Sequence, residues 1–94
     1  MTFDPDIVRR IRTASAALEV YRELTENWKP DGKEFRASVP WRSDGTPSLT
    51  VNQKDGAWLW ADITQHQFGD VLSFVRQCKG WNFQQAVIWL TERL

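Results

Sequence analysis

The chain has a single cysteine, Cys78, and a single histidine, His66. A disulfide within the chain needs two thiols and a structural zinc ion normally takes four Cys or His ligands, so neither crosslink is expected. Excess charge is lacking too: twelve Lys and Arg offset twelve Asp and Glu, and each third of the chain is close to neutral. The absence of a basic tail or stripe argues against a strong, sequence-blind grip on nucleic acid, which draws its affinity from neutralised phosphates. No apolar run approaches the ~20 residues of a membrane span, and the start lacks the charged and apolar regions of a signal peptide. The cytoplasm is the expected compartment. Internal repeats and low-complexity tracts are also missing.

What is plentiful is aromatic surface, with six Trp and five Phe in 94 residues. A chain of this length buries roughly 60–65% of its unfolded surface and has little stability to spare. Each large aromatic can bury about 150–250 Å², so aromatic packing is expected to supply what metal or disulfide supplies in other small folds. One domain spanning 1–94 is expected.

The hydrophobic pattern divides that domain in three. Asp4 and Pro5 read as helix cap and first residue, and Ile7, Val8 and Ile11 form an apolar stripe at helical spacing. Leu18, Tyr21 and Leu24 continue it to about Thr25 as a second helix or a bent continuation, with Arg9, Arg10, Arg12 and Arg22 on the wet side. These make a leading helical segment, 1–25. From Trp28 the period falls to two. Lys29-Pro-Asp-Gly-Lys33 is a turn; Phe35, Ala37 and Val39 alternate as a strand; Ser43-Asp-Gly45 breaks it. Leu49 and Val51, a turn at Asn52–Gly56, and Ala57–Ala61 complete an antiparallel sheet of three to four strands over 28–61.

Asp62–Gln67 reads as a polar loop. Over 69–94 two helices follow. Asp70 caps the first, whose Val71, Phe74, Val75 and Cys78 share a face, and Gly80 ends it. Asn82 and Gln85 have capping-box spacing ahead of a stripe at Phe83, Ala86, Val87, Leu90 and Leu94. The fold class is α+β: a small antiparallel sheet flanked by leading helices and two C-terminal helices.

Val39-Pro40-Trp41-Arg42, then Ser43-Asp44-Gly45, then Thr46-Pro47-Ser48-Leu49-Thr50-Val51 carry a further signal. With Gly69-Asp70-Val71-Leu72-Ser73-Phe74 and Phe83-Gln84-Gln85-Ala86-Val87-Ile88-Trp89-Leu90 in register, the stretch from about Trp28 to Leu90 resembles the N-terminal zinc-binding domain of bacterial and phage DNA primases. That family carries Cys-Pro-Phe-His, three residues, Thr-Pro-Ser-Phe-x-Val, a hairpin, Cys-x-x-Cys-Gly, then Gly-Asp opening a helix. The departures fall on the ligands. Val39 stands for the first Cys and Arg42 for the His. Counting forward from Val51 puts the other two ligands at Trp60 and Ile63; counting back from Asp70 puts them at Asp62 and Gln65. Neither pair can complete a zinc site, so no metal and no cofactor is expected. Val39 is expected to pack with neighbouring aromatics where the ion would sit, with at least one of Trp41, Trp58 and Trp60 closing the gap as an apolar plug.

The resemblance implies a zinc-ribbon-like sheet and a role in DNA replication, in the setting of a plasmid, phage or other mobile element. The candidate contacts with single-stranded DNA are Trp41, Trp58 and Trp60 as base-stacking surfaces, and Lys33, Arg36, Arg42 and Lys54 as phosphate contacts, with Lys29 nearby. Each has a plainer reading: core for the tryptophans, and for the cations a solvated surface balanced by Asp31, Glu34, Asp44 and Asp55. The family often has Lys just before Thr-Pro-Ser, where this chain has Gly45. Paired carboxylates in a convincing spacing, a Ser/His/Asp set and a phosphate-cradling glycine loop are all missing, so no enzymatic activity is expected. The alternative is a protein-interaction module that docks onto a primase, polymerase or helicase and has lost DNA recognition.

Overall fold

The computed structural model describes residues 5–43 and 47–93; the expected cap at Asp4, the break at Asp44-Gly45, Thr46 and the stripe residue Leu94 lie outside them. Two short helices lead, α1 (Pro5–Thr13) and α2 (Ala16–Leu24). Five antiparallel strands follow in sequence order, β1 (Glu26–Asp31), β2 (Glu34–Ser38), β3 (Leu49–Lys54), β4 (Ala57–Asp62) and β5 (Gln67–Asp70). Helices α3 (Val71–Lys79) and α4 (Phe83–Arg93) complete the chain. The α+β class stands as expected, with a wider sheet.

The two strands for which the hydrophobic spacing gave no sign, β1 and β5, lie at the sheet's edges. β1 carries Pro30 and an irregularity between Glu26 and Lys29, where Asn27 takes φ 59°. A proline and a kink suit an outer strand, which has no neighbour to satisfy on one side, and together they erase the alternation by which strands are read. β5 has only four residues and owes its extended form to pairing with β4, Trp60 opposite Gly69 and Ala61 opposite Phe68. The central hairpin is locally encoded: Lys54 pairs with Ala57, leaving Asp55 and Gly56 at φ 51° and 82°, as a two-residue type I′ turn requires.

The helix ends follow the sequence closely. Asp70 accepts a hydrogen bond from the Ser73 amide at 3.0 Å, and Gly80 adopts the left-handed conformation with its N–H on the Arg76 carbonyl. At the start of α4 the capping box is reciprocal: the Gln85 amide donates to Asn82 Oδ1 at 2.8 Å, and the Asn82 amide to Gln85 Oε1 at 3.0 Å.

Alternation gives the sheet two unlike faces. Phe35, Ala37, Leu49, Val51, Trp58, Trp60 and Asp62 share the inner one, as their direct pairings require. Against it pack Tyr21 of α2, Val71, Phe74 and Val75 of α3, and Ala86, Val87 and Leu90 of α4, in one buried cluster. The other face carries Arg36, Thr50, Asn52, Lys54, Leu59, Ala61 and Phe68. Among the described residues no helix is long and apolar enough to cross a membrane.

Candidate nucleic-acid interface and the former metal position

The seven expected contact residues do not gather on one surface. Arg36 and Lys54 lie on the open face, and Lys33 is exposed in the β1–β2 turn. Arg36 Nε donates to Asp31 Oδ2 at 2.7 Å, a partly solvated pair that leaves the rest of its guanidinium fork for other acceptors. The three tryptophans belong to the opposite side. Trp60 is 3% exposed; its ring meets Trp41 edge-on at 5.2 Å and Phe74 at 5.8 Å, while its Nε1 donates to the Asp70 carbonyl and to Ser73 Oγ. No face of that indole is left for a base, so its place here is structural. Trp41 also packs edge-on against Phe74, at 5.5 Å. Trp58 is half-buried beside Phe35, which in turn stacks on Trp28 at 4.9 Å.

The aromatic that does face solvent on the sheet is Phe68, 82% exposed. On β5 it sits directly across from Ala61 of β4 and helps to line an open groove of about 480 Å³. Leu59 forms the groove's apolar floor, and Thr50, Asn52, Lys54 and Arg12 supply polar and cationic walls. Arg12 Nε is 3.2 Å from Asp70 Oδ2. A flat ring beside small apolar side chains, bordered by hydrogen-bond donors and cations, is the chemistry that single-stranded bases and their phosphates need. Phe68 escaped the sequence reading because Asp62–Gln67 read as a loop, which left the next residues without a strand to belong to. Leu59, alternating with Trp58 and Trp60, was the available clue to a second, open apolar face.

Arg42 turns the other way, into the junction where the β2–β3 and β4–β5 connections converge. Its Nη2 lies 2.9 Å from both Asp62 carboxylate oxygens, 3.0 Å from Ser48 Oγ and 2.6 Å from Thr64 Oγ1. Thr64 closes the cluster, its amide and hydroxyl both donating to Asp62 Oδ1 at 3.2 and 2.9 Å. The Asp62 side chain is 0% exposed and that of Arg42 29%. Burial raises the Asp62 pKa, but hydrogen bonds from Arg42 and Thr64 and the guanidinium charge outweigh it, holding the carboxyl below its ordinary value.

Of the two counts for the second ligand pair, the one reaching Asp62 is the one the fold brings to Arg42. Val39, 2% exposed, belongs to the core cluster, and Trp41 packs against Trp60, burial of the kind an apolar plug calls for. Such a plug is incomplete as an account, because the junction itself is ionic: a polar strand end and two loops cannot be buried beside hydrocarbon without partners for their oxygens. The residues do not fit a zinc ion. Val39 offers no donor, Arg42 is a cation, the Asp62 carboxylate is already neutralised, and Gln65 is exposed. Among the described residues no three His, Cys, Asp or Glu side chains gather to hold a metal. Cys78 is half-buried on α3, and burial pushes its thiol up to about 12.

A five-stranded meander backed by helices, with two of its connections meeting at the Arg42–Asp62 junction, defines a zinc-ribbon-like fold. The profile of the CHC2 zinc finger family matches residues 4–94, and the chain belongs to that family, in a form without its metal ligands. It is 25% identical over 85 residues to the DNA primases of Chlamydia trachomatis serovar D and Chlamydia muridarum, covering 88% of this chain and 14% of each primase. The chain thus spans about one-seventh of the length of those relatives. The fold is shared with the crystal structure of the Aquifex aeolicus primase zinc-binding and RNA polymerase domains, at a TM-score of 0.77 and 23% identity over 97% of this chain and 22% of that one.

Proposed function

We propose that the chain is a non-catalytic, metal-free primase-type finger that binds single-stranded DNA across the open face of β3, β4 and β5. Phe68 stacks a base, and Arg36, Lys54 and Arg12 meet phosphates. The observation that carries this is the 82% exposure of Phe68 beside Ala61 and Leu59 in a groove also lined by Thr50, Asn52, Lys54 and Arg12, where burial gives no reason for an aromatic. The setting is cytoplasmic DNA replication, in a plasmid, phage or other mobile element, beside a primase, polymerase or helicase partner. That setting rests on the primase relatives and on the family resemblance.

The test is fluorescence anisotropy of labelled short oligonucleotides. Binding in the micromolar range that weakens about ten-fold between ~50 and ~200 mM salt fits two or three phosphate contacts on a single strand. No binding at the lower salt rejects the proposal and leaves the protein-docking module ahead. One observation favours that second reading: Phe83 and Ile88 are 40% and 48% exposed on α4, away from the groove residues.

A further inference from the structure

We infer that the Arg42–Asp62 ion pair occupies the family's metal-ligand positions and has taken over the ion's work as the crosslink between the two connections. This goes beyond the DNA-binding proposal and stands whether or not the sheet binds DNA.

Position is the first ground. In the family pattern the second ligand follows Pro-Phe, and Arg42 follows Pro40-Trp41; counting back from Gly69-Asp70 puts the third ligand on Asp62. These residues lie twenty apart in sequence, yet Arg42 Nη2 is equidistant from both Asp62 oxygens at 2.9 Å. Chemistry is the second. A zinc site joins two loops by placing one cation among anionic or lone-pair donors. Here one guanidinium nitrogen sits among oxygens of Asp62, Ser48 and Thr64, which come from β4 and from both connections. The backbone is tied at the same place, the Ile63 amide donating to the Ser48 carbonyl at 3.2 Å. The tie differs from a metal in needing no supply and no chelator-sensitive bond. Four oxygens of the cluster all meet one atom, Arg42 Nη2, as ligands meet an ion.

The inference is tested on the whole chain. Elemental analysis should find no stoichiometric zinc, and chelator should leave the melting temperature unchanged; zinc at one per chain, or melting by chelator, overturns it. Arg42→Met and Asp62→Leu should each lower the melting temperature by more than about 10 °C, because each leaves a buried charge or its partners unmatched. The double variant should recover most of that loss, whereas additive losses overturn the coupling. Should a single variant fail to fold, recovery of folding in the double gives the same answer.

A gain of metal checks the positions independently. Val39→Cys, Arg42→His and Asp62→Cys, combined in two versions with Gln65→Cys or Thr64→Cys, should produce a chain that takes up one cobalt with thiolate charge-transfer absorption, displaced by zinc. The two versions are needed because Gln65 holds the family position while Thr64 is the residue whose side chain reaches the cluster. Uptake by neither overturns the assignment of these positions.

Discussion

The indole nitrogen of Trp60 donates to the carbonyl oxygen of Asp70 at 3.0 Å, joining the middle of β4 to the residue that caps α3. Ser73 Oγ, itself donating to the same carbonyl at 2.9 Å, accepts from that nitrogen at 3.1 Å. Trp58, two residues earlier on the same face, has a buried indole nitrogen with no hydrogen-bond partner among the described residues.

These two tryptophans should therefore respond differently to the same change. Trp60→Phe removes the donor to Ser73 Oγ, leaves the Asp70 carbonyl only its bond from that hydroxyl, and shrinks a buried ring, and is expected to cost about 2–3 kcal/mol. Trp58→Phe removes a nitrogen that gains nothing from burial, and its cost should stay below about 1 kcal/mol. Urea denaturation of the two variants checks the order.

Gly69 pairs with Trp60 across the β4–β5 ladder, and nothing larger fits there. A Cβ at this position would fall 2.0 Å from Ser73 Oγ and 3.1 Å from both Ser73 Cβ and Trp60 Nε1. The hydroxyl could turn away only by giving up its bonds to Trp60 and Asp70. Gly69→Ala is expected to destabilise by about 1–3 kcal/mol, read as a lower melting temperature with the circular dichroism of the fold retained.

Acid should weaken the junction. Because the folded-state pKa of Asp62 is depressed, its contribution is fully present above the ordinary carboxylate value of about 4 and is lost as pH falls through the folded-state value. Asp62→Asn should be much less stable than the parent chain at pH 7, and the gap should narrow at pH 3. Denaturant midpoints at the two pH values measure it.

Phe68 separates function from stability. It is mostly solvated, so Phe68→Ala should change the melting temperature little while weakening oligonucleotide affinity by about 1–3 kcal/mol, the worth of one stacked base. Trp41→Phe provides the contrast: its ring packs on Trp60 and Phe74, so it should lose stability while affinity in the folded protein persists.

How far the candidate site could be read from the sequence follows from where its information resides. The capping of α3 by Asp70, its end at Gly80 and the Asn82–Gln85 box involve residues within four positions of one another, and all were legible. The turn expected over Asn52–Gly56 is there too, but confined to Asp55-Gly56, because β3 stays paired as far as Lys54. The edge strands were not legible: β1 has its pattern broken by Pro30 and a bulge, and β5 is too short to show one. Without β5, Phe68 had no face, and the tryptophans were the only visible candidates for stacking.

The sequence by itself determined the order of the helices and the three central strands, the family pattern from Val39 to Leu90, and the loss of the zinc ligands, because each is written in local spacing or in residue identity. The tertiary structure alone decided which side each aromatic faces and what stands in the metal's place. Arg42 and Asp62 are twenty residues apart, and either could have been an ordinary surface charge. Only the closing of two separate connections onto one buried point, where unpaired charge is costly, makes them partners.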